Sequence, residues 1–527
     1  GSMKRKFLLL LTMKRFFFSV LFLLLPTGAS ELRSQERPQH GGTLNIGIHS
    51  DLYGINPFIR MRSIDAHVRS VVYETLVAMD AKFQIKPYLA ESWNSSPDGK
   101  EYTFNLRRGV RFHNGQEMTA EDIKWGIEYA RDPRHGATAF SQLEDIQAVR
   151  VLDRHKITFA LKRPSAGFLA SLTTLSGIFV LPKDSIPMGQ TNVQAMPAGT
   201  GPFVFKEWRA GSHATFEKFK DYWQKGLPYP DRVVFKPVID ETARLAALRA
   251  GDLDIINRVP SPWVLRVQKG EVRDLQLSPS RYSGYNRLSL NVVAPPFNNL
   301  KLRQALTYAL DRKKILEGAY WGLGDIAYER FPKGSPWNFD IPARERNLDK
   351  AKELLKEAGY KGEKVTLIAR PGQDEAPFVQ QQLKEAGINL HVEIIEAGAY
   401  RKRSRVGEFE MSFSGGEFWA DPDPATVEFA CDEEAVKRRQ RDQNRSGYCN
   451  KEVDALFRQA ASVTDYKKRY EIYKKAFTIV DDEAAEIPLL FEHRFFGARP
   501  HVRDFVTDTN QQFRWLEGGV HKSWISK

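Results

Sequence analysis

The chain has 527 residues, 42% hydrophobic and 27% charged, enough for roughly three or four domains and a large core. These fractions exclude a mainly disordered, collagen-like or coiled-coil protein. Two cysteines exclude a disulfide-built scaffold and a four-cysteine zinc site, and 78 Lys and Arg against 65 Asp and Glu give a net charge of +13.

Part of that charge sits in one place. Gly1-Ser2-Met3 reads as a cloning scar and a start. Lys4, Arg5 and Lys6 follow, then an apolar stretch, Lys14-Arg15, the charge-free run 16–25, and the small residues of Pro26-Thr27-Gly28-Ala29-Ser30. Positive, apolar, then small is the order of a secretory signal over residues 1–30, with Met13 as an alternative start. A membrane anchor is the competing reading, but ten residues at 1.5 Å each do not span about 30 Å of hydrocarbon. Removing 1–30 leaves 73 Lys and Arg against 65 acids, a mild net +8. No basic stripe with interleaved aromatics stands out, which argues against nucleic acid as a partner. Export puts Cys431 and Cys449 in an oxidising compartment, where an even pair bonds. The bridge encloses a stretch that carries Lys437, Arg438, Arg439, Arg441 and Arg445 and reads as a charged, exposed loop.

Residues 31–40 are mostly polar and read as a leader. Residues 43–48 alternate apolar and polar, as does 101–106, and each predicts a half-buried strand. Val110 and Phe112 continue the second pattern to a turn at Asn114-Gly115. Thr119 followed by Asp122 predicts a capped helix start, Ile123, Ile127 and Ala130 share one face, and Pro133 ends the helix. Strands follow at 157–161 and 233–239. Helix faces are formed by Leu302, Ala305, Leu306 and Ala309, and by Ala351, Leu354, Leu355 and Ala358, the latter stopped by Gly359. Residues 364–369, 379–386 and 389–395 read as strand, helix and strand, the crossover that two parallel strands require. A long helix is predicted over 466–480. The fold class is α/β with mixed sheets.

Signatures of chemistry are missing. There is no G-x-S-x-G, no H-E-x-x-H, no G-x-x-x-x-G-K-[ST] and no G-x-G-x-x-G. Gly322-Leu323-Gly324 lacks the third glycine and reads as a loop. The eleven histidines show no pair at ligand spacing on one helix, so no metal is expected. Asp421-Pro422-Asp423-Pro424 places two carboxylates on a proline-stiffened turn. It suits a cation or an amine, with a rigid surface turn as the alternative.

One string is specific. Leu89-Ala90-Glu91-Ser92-Trp93, Pro97-Asp98-Gly99-Lys100, Tyr102-Thr103-Phe104-Asn105-Leu106-Arg107, Gly109-Val110-Arg111-Phe112-His113-Asn114-Gly115 and Thr119-Ala120-Glu121-Asp122 together resemble the signature of the family 5 solute-binding proteins of ABC importers, the peptide, opine and nickel group. Gly41-Gly42-Thr43-Leu44, Gly199-Thr200-Gly201-Pro202-Phe203, the segment from Asn299 to Arg312 and Tyr448-Cys449-Asn450 match in the right order. The resemblance implies a periplasmic-binding-protein-like two-lobed clamshell with an inserted small domain. Lobe I would comprise 31–81, 199–283 and 490–527, the inserted domain 82–198, and lobe II 284–489. The chain would cross between lobes near Ser283-Gly284-Tyr285 and Pro488-Leu489, where Gly284 and Pro488 suit a hinge. The implied function is periplasmic capture of a small organic solute, foremost an oligopeptide, and its delivery to an inner-membrane ABC permease. The implied protein is a monomer, without cofactor or catalytic residues. Alternatives are an opine, an oligosaccharide or a nickel complex as ligand, a partner role for a membrane receptor, and a secreted hydrolase.

The resemblance also marks site residues. Peptide binders of the family grip the ligand's amino end with an aspartate near Asp421, but Glu417-Phe418-Trp419-Ala420 stands where their pattern carries an extra Asp. Phe418 and Trp419 offer flat apolar surface instead, with core packing as the alternative for Trp419. Arg370 follows the strand 364–369, where a βα loop of an open sheet meets ligands and an arginine can clamp a carboxylate; a surface arginine is the alternative. Tyr53 and Asn56 hold the same position after the first strand. Arg281, Tyr282 and Tyr285 flank the first crossing, as cleft floor or as hinge packing.

Overall fold

The computed structural model describes residues 36–54, 56–58, 63–135, 143, 145–173, 179–187, 196–416, 420–441 and 443–527. Residues 38–527 form one compact unit, and the architecture below is that unit's.

The strand periods read from the sequence are the periods of burial. Thr43–Ile48 buries Leu44, Ile46 and Ile48, and Glu101–Leu106 buries Tyr102, Phe104 and Leu106. The first belongs to an eleven-stranded mixed sheet among the described residues. The second belongs to a four-stranded antiparallel sheet in the order Ala90–Ser95, Glu101–Leu106, Lys156–Leu161, Ile146–Asp153. The helix Ala120–Arg131 begins where Asp122 accepts hydrogen bonds from the Thr119 backbone N–H (2.7 Å) and hydroxyl (2.9 Å), and it stops before Pro133. Val365–Ala369 and Leu390–Ile394 pair in parallel through the helix Ala376–Ala386, as the crossover pattern requires.

Two strands thread the large sheet. Gln276–Leu290 and Glu486–Ala498 run antiparallel along most of their length. Leu288, Leu290, Ile487, Leu489 and Leu490 belong to one core, closed by the helices Leu300–Ala309, Leu348–Glu357 and Ala376–Ala386. Phe496 and Ala498 belong to another, which includes Leu44, Ile46, Val233 and Phe235. The ladder is regular except at one place. Ser280 pairs with Arg494 and Gly284 with Glu492, so Arg281, Tyr282 and Ser283 oppose His493 alone, and Tyr282 has a φ of 57°. This bulge bends the pair. The crossing positions expected at 283–285 and 488–489 therefore fall inside long paired strands.

Two expectations change. Gly324, read as part of a loop, begins the short strand Gly324–Ile326 on the edge of Glu486–Ala498; a Cβ there would meet the Phe491 carbonyl oxygen at 2.5 Å, so only glycine permits the approach. The disulfide loop is also not wholly exposed. Cys431 and Cys449 are bonded, the helix Glu433–Lys437 lies between them, and Arg441 is buried where it donates to Asn291 Oδ1 at 3.0 Å.

Closing a loop with a sequence separation of 18 stabilises the chain by about 3 kcal/mol in the chain-entropy description. Replacing both cysteines with serine is expected to lower the free energy of denaturant unfolding by about that amount. Thiol titration of the native oxidised protein is expected to find no free thiol.

Candidate functional site

Parallel strands of open α/β sheets present ligand-binding loops at their C-terminal ends. In the first core, Thr43–Ile48 lies between Arg232–Pro237 and Ile255–Ile256, parallel to both. These strands lead to His49, Asn257 and Arg258. Ile255 pairs with Ala498 and Ile256 with Gly497, and Val259 N–H donates to the Phe495 carbonyl. The strand ends thus advance toward the bulge at His493. In the second core, Val365–Ala369 is parallel to Leu390–Ile394 and to Met411–Gly416, and Gly416 pairs with Tyr285. These ends advance toward the same bulge from the other side.

The first edge is cationic. Asn257 Oδ1 accepts from His49 N–H at 3.0 Å, and its amide faces His49 Nδ1 at 2.8 Å. Burial lowers the His49 pKa to about 3, aided by Arg258, Arg244 and Arg494, so this imidazole is neutral. Burial also lowers the Arg258 pKa, to about 10. Sequence reasoning missed His49 and Arg258. Their signal was position, His49 directly after Thr43–Ile48 and Arg258 two residues past the end of Ile255–Ile256.

The second edge borders a polar cavity of about 190 Å³. Direct pairing puts Arg287, Ser289, Ser414 and Glu486 on one face of the strands, while Leu288, Phe413 and Ile487 occupy the other. Arg287 bonds Glu428 and approaches Glu486 at 2.8 Å; Arg330 approaches Glu428 at 2.6 Å and Glu486 at 3.1 Å. Tyr285 donates its hydroxyl to Glu486 at 2.8 Å and lies beneath both guanidiniums. Burial, then the Glu486 charge, holds its phenol well above the ordinary range. Burial opposes the charge of Glu428, but Arg287 and Arg330 outweigh it and keep that carboxyl below its usual value. Arg445 completes the wall.

The residues marked in the sequence are not gathered in this cavity. Tyr285 is buried beside it and Arg281 is exposed at the bulge. Arg370 is exposed over the Tyr400 ring, 5.2 Å from its centroid. Tyr53 is 41% exposed, while Asn56 turns inward and accepts from Phe58 N–H at 2.9 Å. Phe418 and Trp419 lie outside the described residues. Asp421, expected to grip an ammonium group, is held instead by Arg469, which donates to both its oxygens at 2.7 and 2.9 Å in a buried pair. Asp423 faces the segment at 165–167: Ser165 Oγ donates to it at 3.4 Å, and a Cβ on Gly167 would come within 2.5 Å of its Cβ.

The comparisons identify the class. The model of bacterial extracellular solute-binding proteins, family 5 Middle, matches residues 84–435. The chain belongs to this family. As a family 5 protein it is the periplasmic solute-binding component of an ABC importer, a binder and not an enzyme, and its solute passes to a membrane permease. It is 29% identical over 467 residues to the glutathione-binding protein GsiB of Salmonella choleraesuis, covering 85% of this chain and 88% of that protein. Among solved structures it resembles DppA of Helicobacter pylori in complex with peptide STSA, at 29% identity and a TM-score of 0.76, covering 93% of this chain and 99% of that one. It also resembles AgaA of A. tumefaciens R10 in complex with agropinic acid, at 25% identity and a TM-score of 0.76, covering 92% and 99%. The family's two-lobed clamshell with an additional small domain is the fold described above.

Two outcomes are expected. Arg330→Met removes one cation from two largely buried carboxylates and costs about 3–5 kcal/mol, whereas Arg445→Gln removes a guanidinium that makes no ion pair and is not destabilising by more than about 1 kcal/mol, both read by denaturant unfolding. The second concerns pH. Burial, then Asp421, raises the Asp423 pKa from 3.8 to about 6. The folded state thus holds this proton more tightly than the unfolded chain, and its contribution is complete below about pH 4 and lost as pH rises through about 6. Asp423→Asn is expected to reduce the fall in stability between those values; an unchanged slope contradicts it.

Proposed function

We propose that this protein captures a short peptide, or a peptide-like acid, between its two strand edges and closes over it. The observation that carries the reading is the convergence of both sets of parallel strand ends on the bulge at 281–283. A rotation at that bulge brings the edges together without disturbing either core. In this reading lobe I comprises 31–81, 199–283 and 490–527, lobe II comprises 284–489, and 82–198 is the inserted domain. Residues 1–30 direct export. Arg258 and Arg281 on one side and Arg370 on the other supply charge for an acidic ligand, with Tyr53, Tyr285, Phe418 and Trp419 as its apolar walls. Asn56 shapes the loop that carries Tyr53. Asp421, held by Arg469, supports the contact of Asp423 with Ser165 and does not grip the ligand.

The peptide class is supported by the ligands of two relatives, glutathione for GsiB and the peptide STSA for DppA. An opine-type acid is the second reading, supported by agropinic acid in AgaA. Native mass spectrometry of the protein purified from the periplasm, followed by denaturation, decides between them. A released species with peptide fragmentation, unchanged on prolonged incubation, is expected. A sugar-amino acid conjugate favours the opine reading, and chemical conversion of the ligand contradicts a binder.

A further inference from the structure

The cavity beside Arg287 carries more positive charge than its own carboxylates neutralise. Three guanidiniums, Arg287, Arg330 and Arg445, surround two carboxylates, Glu428 and Glu486. Both carboxylates are engaged by Arg287 and Arg330. Among the described residues the Arg445 side chain makes no hydrogen bond and no ion pair; its backbone is engaged, the N–H donating to the Gln443 carbonyl at 3.0 Å and the carbonyl accepting from Arg441 at 3.3 Å. Burial lowers its pKa, with Glu428 and Tyr400 opposing and Arg287 and Arg405 adding to the effect. Arg287 is 5% exposed, and its Nη1 is buried without an acceptor. An unanswered guanidinium donor in such a place costs free energy.

The wall also carries serine hydroxyls. Ser289 Oγ donates to Ser414 Oγ at 2.8 Å, which leaves one hydroxyl hydrogen of the pair for another acceptor. The volume, about 190 Å³, greatly exceeds the roughly 30 Å³ of one water. It falls below the roughly 300–1,000 Å³ of a whole-ligand pocket. It suits one end group of a larger solute.

We propose that this cavity is an anion subsite that takes a single carboxylate of the captured solute, held by Arg445 and Arg287 with a serine hydroxyl as a further donor. The assignment rests on the solute-capturing reading above and deepens it by naming which group of the solute enters lobe II. One excess positive charge matches a monoanion. A dianion would leave excess negative charge beside Glu428 and Glu486, and a cation would meet Arg445. A guanidinium fork fits the two oxygens of a carboxylate, so the subsite selects the free acid over its amide.

The test uses the mature protein and acetate as the probe. At constant ionic strength, thermal unfolding is followed with increasing acetate, acetamide or chloride. Binding to the folded state alone raises the melting temperature with concentration. Acetate is expected to give a saturable rise of a few degrees, chloride a smaller one and acetamide none. Arg445→Gln is expected to abolish the rise and Arg445→Lys to retain part of it. Bromide soaked into crystals of the unsubstituted protein is expected to give an anomalous peak between Arg445 and Arg287, a readout that needs no variant. Equal melting temperatures in all three solutes, a full acetate effect in Arg445→Gln, or a cavity empty of bromide would overturn the assignment. Failure here is distinguishable from failure of the functional reading. A protein that releases an intact peptide but ignores acetate loses the subsite and keeps the function. One that responds to acetate but captures no solute keeps the subsite and loses the function.

Discussion

The antiparallel pair of Gln276–Leu290 and Glu486–Ala498 supplies residues to both large cores. Backbone hydrogen bonds along a ladder resist shear and fix register, because a slip of one residue would turn Leu288 and Ile487 out of their core and Arg287 and Glu486 into it. The bulge at 281–283 is where the regular ladder is interrupted and where Tyr282 adopts a positive φ. A continuous sheet would make the molecule stiff. In the proposed closure, the interrupted rung is the axis about which the cores turn as units.

The same register explains the charge cluster. Alternation along the two strands that packs apolar side chains into the helical core places Arg287, Ser289 and Glu486 on the opposite face. That face looks toward Phe429 and the aromatic cluster around Phe339 and Phe477. Charges in such a place are costly unless paired, and Arg330 and Glu428 arrive from distant segments to pair them. The pairing is one carboxylate short. The shortfall sits beside the strands of the second core, close to the strand ends that face the bulge. A binding protein benefits from it: a site incompletely satisfied in the empty state holds its acceptor more tightly.

Local patterns were legible in the sequence and distant ones were not. The strands at 43–48 and 101–106, the capped helix at 120–131 and the crossover from 365 to 394 follow from periods of two and 3.6 and from capping residues within a few positions. The family signature lay in the same local segments. The charge cluster had no local trace, since Arg287 and Glu428 lie 141 residues apart and Arg330 and Glu486 lie 156 apart. Arg445 was hidden for another reason. It sits in a run of basic residues that reads as solvated surface, and only the disulfide and the burial of Arg441 show that the run folds inward. Asp421 drew attention through its proline-framed pair, but its partner Arg469, 48 residues on, was invisible to spacing.

Lobe closure about the bulge is the central claim. A solute that touches both edges binds the closed form better and shifts an open–closed balance toward it. Moving that balance from 1:99 to 99:1 takes about 5.5 kcal/mol of differential affinity, within reach of a two-sided buried site. Small-angle X-ray scattering, with and without the solute released from the purified protein, measures the shift directly. The radius of gyration is expected to fall on binding. An unchanged radius in a sample shown to be saturated would contradict closure.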